Sequence, residues 1–151
     1  MKKVIIVSGY FNPIHAGHVN YFKEAKALGD VLVVIVNNDR QVEIKQSVPF
    51  MPEADRIKII ESIKYVDEVF LSVDNDSSVC ESLKKIAEKY KGSELFFANG
   101  GDRHKGNIPE TEVLKEFNIK TADGVGGGKI QSSSWLLKRA VELQKENEKR
   151  I

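Results

Sequence analysis

Residues 31–36 read Val-Leu-Val-Val-Ile-Val, an unbroken apolar run that is β-branched at five of its six positions. A strand made of it has no polar face to leave in water, so both of its sides must be covered. Val4–Val7 is a second continuous apolar run and reads as another buried strand. Between the two, Val19, Phe22, Ala25 and Leu28 recur at helical spacing, and Gly29 stands where a helix C-cap belongs. Strand, helix, strand is the unit of a parallel sheet.

The alternation continues to the end of the chain. A second helix is expected after Pro52, with Glu53 and Asp55 in its first turn and Ile57, Ile59, Ile60 and Ile63 on its apolar face. Val69–Val73 reads as the third strand, and Val79, Leu83, Ile86 and Tyr90 as a helix closed by Gly92. Leu95–Ala98 follows as a strand, Glu110–Phe117 as a short helix and Ile119–Ala122 as the fifth strand. A long helix begins near Ser133, and its polar end, residues 144–151, is expected to fray. The architecture implied is an α/β fold, a Rossmann-like doubly wound five-stranded parallel sheet with helices on both faces. Its 151 residues are expected to form one domain.

Composition narrows the partners. The 23 Lys+Arg and 22 Asp+Glu leave a formal charge of +1, which gives no footprint for a nucleic-acid backbone or an anionic membrane. The single Cys80 excludes an internal disulfide and a cysteine-cluster metal site. The apolar run behind Lys2-Lys3 is shorter than the roughly 7–15 residues of a secretory segment, and none approaches the ~20 needed to span a bilayer. A soluble, cytoplasmic protein is expected.

In doubly wound sheets ligands bind beyond the carboxyl ends of the strands, near the point where strand order reverses. The strand ends to search are at about residues 8–18, 37–47, 73–77 and 99–107, and with residues 126–135 added four segments could carry chemistry. The first is Ser8-Gly9-Tyr10-Phe11-Asn12-Pro13-Ile14-His15-Ala16-Gly17-His18. Gly9 lets the backbone approach a ligand. His15 and His18 sit at the expected helix N-terminus, where free N–H groups and the dipole favour an anion and imidazoles add donors for phosphate oxygens. A plain surface loop and an i,i+3 zinc pair are the alternatives. However, two of the chain's three histidines crowd this one turn, and no further His or Cys stands nearby to complete a tetrahedral site.

The second segment, residues 39–45, ends on Lys45, which taken alone is a solvated loop lysine. Arg56, on the following helix, has a surface salt bridge with Glu53 or Asp55 as its simplest reading. The third segment, residues 99–107, carries Gly101 and Asp102, which let backbone and carboxylate approach a ligand, then the basic run Arg103, His104 and Lys105. A polar surface turn is the alternative. In the fourth, Lys129, Gln131, Ser132, Ser133 and Ser134 lead from glycines into a helix as a phosphate cradle, although one serine serves equally as an N-cap. Trp135 is expected to pack, with stacking on a base as the alternative.

GYFNPIHAGH resembles the HxGH signature of the nucleotidylyltransferase superfamily, in particular the cytidylyltransferase-like family that includes glycerol-3-phosphate cytidylyltransferase and heptose-1-phosphate adenylyltransferase. HVNYFKEAKALGDVLVVIVNND and MPEADRIKIIESIKYVDEVF extend the resemblance over residues 4–73. It implies transfer of a nucleoside monophosphate from a triphosphate to the phosphate or phosphonate of a small polar metabolite. Attack is in line at the α-phosphorus, with pyrophosphate leaving and no covalent enzyme intermediate.

On this resemblance His15, His18 and Lys45 are catalytic. Gly9, Tyr10, Phe11, Asn12, Gly17, Gly101, Asp102, Gln131, Ser132, Ser133 and Ser134 bind the nucleotide. Arg56, Arg103, Lys105 and Lys129 take the acceptor or phosphates. Mg²⁺ arrives with the triphosphate and no protein metal site is implied. The partners implied are CTP or ATP and a phosphorylated small molecule, with a homodimer a further expectation because family members are commonly dimers.

Two departures bear on the nucleotide. Asn12 stands where many members carry Asp, and Gly126–Lys129 replaces the Arg-Thr-Glu-Gly typical of cytidylyltransferases. SIKYVDEV is similar to the glycerol-phosphate type, whereas the Gly-Gly-Asp stretch is similar to the adenylyl type. The expectation leans to CTP, with ATP on a phosphosugar-like acceptor as the alternative. A class I aminoacyl-tRNA synthetase is a poorer match, since the chain is short and has no basic excess. A non-catalytic nucleotide sensor on the same fold is opposed by retention of both histidines and Lys45.

Overall fold

The computed structural model describes residues 1–100, 108–126 and 132–149. Five parallel strands form one sheet: β1 (Lys3–Gly9), β2 (Val31–Val36), β3 (Glu68–Leu71), β4 (Glu94–Gly100) and β5 (Lys120–Val125). They lie in the order β3-β2-β1-β4-β5. β1 pairs with β2 on one side (Val4 with Val31) and β4 on the other (Lys3 with Glu94). The chain winds outward in one direction through β2 and β3, then returns to start β4 on the opposite side of β1. Strand order therefore reverses between β1 and β4, which places a ligand crevice above Gly9 and Gly100.

The centre of this sheet explains the two runs without polar alternation. Val4–Val7 and Leu32–Val36 are at most 1% exposed, because each faces a core on both sides. Val4, Ile6, Val33, Ile35, Leu95 and Phe97 pack under α4 (Cys80–Lys89) and α5 (Thr111–Glu116). Ile5, Val7, Leu32, Val34, Val36 and Ala98 pack under α1 (Ala16–Ala27) and α3 (Glu53–Glu61). These are the helices on both faces that the sequence implies. No helix among the described residues is long and apolar enough to cross a membrane.

Several expectations change in detail. Residues 39–44, read as loop, form a short helix, α2 (Asp39–Ile44), held by a capping box in which Asn38 and Gln41 exchange side-chain-to-backbone bonds. Gly29 does not adopt a left-handed φ. Its role is close approach: a Cβ there would stand 2.8 Å from the Ile5 side chain and 2.9 Å from the Lys3 carbonyl. β3 ends at Leu71, leaving Val73 exposed, while β4 and β5 run on to Gly100 and Val125. Val19, Leu28 and Ile59, placed on apolar helix faces, are exposed. The last helix, α6 (Ser133–Lys149), stays helical to Lys149 and buries no residue along its length.

Candidate active site

The loop after β1 is held in place by its own apolar and polar groups before any ligand is considered. Phe11 adopts φ 54° and turns its ring back under Gly9, where it is 2% exposed. A Cβ on Gly9 would stand 2.7 Å from that ring, so the glycine makes room for Phe11. Phe11 is likewise a core residue. Its ring meets Phe22 and, edge-on, His18 with centroids 4.8 Å apart. It therefore acts on the site by positioning that imidazole.

His15 and His18 then build the N-terminus of α1. His15 is the N-cap, and its Nδ1 accepts the Gly17 N–H at 3.0 Å. His18 Nδ1 accepts the His15 N–H at 3.2 Å, completing a reciprocal box made of two imidazoles. The rings stack with centroids 3.7 Å apart and an interplanar angle of 22°. Because each Nδ1 accepts, the proton of each neutral ring belongs on Nε2, which leaves two parallel N–H donors beyond the helix end. Burial lowers the pKa of His15 and, with a smaller push from His15, brings His18 down to about 3. The pair is neutral near pH 7 and donates as dipoles. Gly17, expected at the nucleotide, has its N–H occupied by His15.

The other loops are tied to this one. Lys45, in the turn at the C-cap of α2, extends its Nζ over the Tyr10 ring, 4.4 Å from the centroid. Ser133 Oγ donates to the Pro13 carbonyl at 2.7 Å, fixing the start of α6 against the histidine loop. Ser132 Oγ accepts the Trp135 N–H at 3.0 Å and thus caps α6, and it lies 3.1 Å from Ser134 Oγ. Trp135, expected to pack, is 51% exposed.

Asn12 and Arg56 take parts that differ from those the resemblance implied. Asn12 is 6% exposed, donates Nδ2–H to the Val48 carbonyl and accepts the Met51 N–H at Oδ1, each at 2.8 Å. Both ends of the amide brace residues 48–51, so in this structure it acts as a loop strut. An aspartate would keep the second bond and lose the first, which gives the departure from the family's Asp a physical reason.

Arg56 is fully buried. Nε donates to the Met51 carbonyl, Nη1 to the carbonyls of Tyr10 and Asn37, and Nη2 to Asp39 Oδ1 at 2.6 Å. Neither Glu53 nor Asp55 is its partner. Instead of meeting a phosphate, the guanidinium fastens the loops after β1 and β2 to the start of α3.

Gly101, Asp102, Arg103, Lys105, Lys129 and Gln131 lie outside the described residues. Sequence reasoning also passed over a buried polar group behind β3. Asp74, 3% exposed, accepts the Glu81 and Ser82 N–H groups and the Ser82 hydroxyl, so it caps α4 from outside the helix. An aspartate six residues ahead of a helix start gives no local capping pattern to read.

A parallel sheet with its crevice at the β1/β4 switch carries two imidazole donors on the helix that leaves β1, an arrangement suited to an anion. The family model for cytidylyltransferase-like proteins matches residues 6–125, and the chain is a nucleotidyltransferase of that family. It is 40% identical over 120 residues to a FAD synthase of Ferroglobus placidus, covering 80% of this chain and 72% of that one. With a FAD synthase of Archaeoglobus profundus it shares 38% identity over 145 residues, covering 93% and 88%. Matches to other curated FAD synthases span about half of their length. A lipopolysaccharide core biosynthesis protein of Thermoplasma volcanium superposes with a TM-score of 0.66 at 24% identity, covering 82% of this chain and 96% of that one, a likeness of fold.

Proposed function

We propose that this nucleotidyltransferase is an adenylyltransferase that joins ATP and FMN to give FAD and pyrophosphate. The observation that carries the transfer chemistry is the histidine capping box, which presents two neutral Nε2–H donors at the N-terminus of α1. The names of the relatives supply the substrates: FAD is FMN carrying an adenylate on its phosphate, which requires ATP in place of the CTP toward which the sequence leans.

A phosphate oxygen of FMN attacks the α-phosphorus in line. A new P–O bond forms as the bond to the bridging oxygen of the β-phosphate breaks, and the electron pair leaves with pyrophosphate. The FMN phosphate attacks as an anion, so no protein base is needed. His15 and His18 donate to the oxygens on which negative charge accumulates, and Lys45 adds a cation at the same rim. Mg²⁺ belongs to the substrate and enters on the triphosphate. Among the described residues no group of three or more His, Cys, Asp or Glu could hold a metal ion.

The test is to incubate the protein with Mg²⁺, ATP or CTP, and FMN, glycerol 3-phosphate or a sugar 1-phosphate, following pyrophosphate and resolving nucleotide products by chromatography. Pyrophosphate with FAD, from ATP and FMN alone, is the expected result. Release with CTP but not ATP would return the reading to a cytidylyltransferase. No release above a His15→Ala, His18→Ala control for any pair would overturn the assignment.

A further inference from the structure

The histidines occupy only one side of the crevice. Along β1, Ile5 and Val7 face α1 while Val4 and Ile6 face α4 and α5, and by the same alternation Ser8 faces α4 and α5. Val33 and Ile35 set the parity of β2, and the Asn37 N–H continues the ladder to the Gly9 carbonyl at 2.9 Å, so Asn37 falls on that face too. In β4, Leu95 and Phe97 place Asn99 there. Three polar side chains from three adjacent strands thus stand in one row at the carboxyl rim, on the face away from α1. Two strand spacings of about 4.8 Å make the row roughly 10 Å long.

The outer end of this row on the β3 side is closed, because Ser72 Oγ bonds to Asp74 and Ser82. The middle of the row is not. Asn37 is 4% exposed, yet its side-chain amide has no hydrogen-bond partner among the described residues. An amide that finds no partner within the fold and opens at a crevice is placed to bond a ligand. Neither amide atom is sealed from solvent without a partner; among the described residues that is true only of Glu110 Oε2, on the same face. The tip of Asn37 is therefore what remains accessible, at the mouth of the crevice.

Asn99 adds direction. Its Nδ2 donates to Asp123 Oδ1 at 2.9 Å, and a carboxylate only accepts, so the amide is held with Oδ1 turned the other way as an acceptor. Asn37 supplies one acceptor and two donors, Asn99 one acceptor, and the Ser8 hydroxyl either. A row of that kind matches a flat ring edge with alternating carbonyl and N–H groups, the imide edge of a pyrimidinedione.

Which substrate meets the row follows from the reaction geometry. In-line displacement places the attacking and leaving oxygens on opposite sides of the α-phosphorus. The leaving pyrophosphate belongs with the donors at α1, so the acceptor approaches from the side of Ser8, Asn37 and Asn99. We propose that these three side chains form the acceptor-recognition row of the enzyme and read the imide edge of the flavin ring. This rests on the FMN adenylyltransferase reading and adds the residues that select the acceptor.

The test measures binding of FMN and of ATP–Mg²⁺ separately by titration calorimetry, in the wild type and in Asn37→Leu, Asn37→Asp, Asn99→Leu and Ser8→Ala, with thermal unfolding to verify the fold. Ribitol 5-phosphate, which has the side chain and phosphate of FMN but no ring, is the comparison ligand. Asn37→Leu and Asn99→Leu should each weaken FMN binding by about tenfold or more, the worth of one good hydrogen bond, leaving ATP and ribitol 5-phosphate unchanged. Asn37→Asp, which keeps the shape and loses both donors, should weaken FMN and fold normally, so the result does not depend on the leucine variants folding. If the wild type forms FAD but these variants bind FMN like the wild type, the row is wrong and the enzyme reading stands. A parallel loss of ribitol 5-phosphate or ATP would also refute ring recognition. A wild type that neither binds FMN nor forms FAD removes both.

Discussion

Arg56 offers the sharpest quantitative test, because two roles for it predict opposite outcomes. As a phosphate ligand it would matter for turnover and little for stability. As the buried strut seen here it donates to Met51, Tyr10, Asn37 and Asp39 from a fully buried position. Arg56→Ala strands three carbonyls at about 1 kcal/mol each and leaves a cavity where the guanidinium stood. Breaking a buried ion pair costs about 3–5 kcal/mol, and the 32% exposure of the Asp39 side chain lets water replace part of that pairing. The expected total is about 5 kcal/mol or more, a large share of the roughly 5–15 kcal/mol that holds a domain together. Arg56→Lys keeps the charge but not the forked donors and should cost about half as much, giving a measurable value even if the alanine variant does not fold.

Urea denaturation at pH 7 is the assay, with the midpoint falling at constant slope. Arg56→Lys and Asp39→Asn should be non-additive, since both act on one contact. A loss below about 1 kcal/mol for Arg56→Ala, together with abolished nucleotide transfer, would refute the strut and restore the phosphate ligand.

Three further outcomes are expected. His18→Gln keeps an acceptor for the His15 N–H and so should preserve α1, yet its flexible amide N–H is not held where the ring Nε2–H stood, so kcat should fall on the order of 10²–10³-fold, read by pyrophosphate release. Gly9→Ala drives a Cβ to 2.7 Å from the Phe11 ring; displacing that ring moves His18, so kcat should fall while the protein stays folded by circular dichroism. His18 has a folded pKa of about 3 against an ordinary 6.5, so the unfolded chain binds more protons between those values. Stability is therefore full above pH 6.5 and declines as the pH falls below it, a slope that His18→Gln should flatten in urea midpoints between pH 7 and 5.

Parts of the molecule that depend on near neighbours were legible in the sequence. β2 has the limits its apolar run predicts, and α6 begins at the expected serine, because the information is local. The helix α2 was hidden by polar, turn-like residues, although the Asn38-x-x-Gln41 spacing of a capping box was there to find. The site divides in the same way. His15 and His18 are three residues apart and announce themselves. Arg56 meets Asp39 across 17 positions, and Asn12 meets Met51 across 39, so their roles depend on how loops converge above the sheet. The glycine of the first loop was read toward a ligand when its neighbour Phe11 was the group needing space. Only the backbone turn at Phe11 reveals that.

The capping box at α1 also bears on how the products depart. Two imidazolium rings at that position would grip triphosphate and pyrophosphate alike, and attraction shared by ground state, transition state and product does not raise kcat. Since both Nδ1 atoms are already accepting backbone N–H groups, a second proton is resisted and the rings hold anions only by dipoles. Such donors count most when charge builds on the oxygens they face and least once the pyrophosphate has separated and can be rehydrated. On the proposed reaction, wiring these rings into the helix end favours turnover over product retention, with the fold itself setting the protonation state.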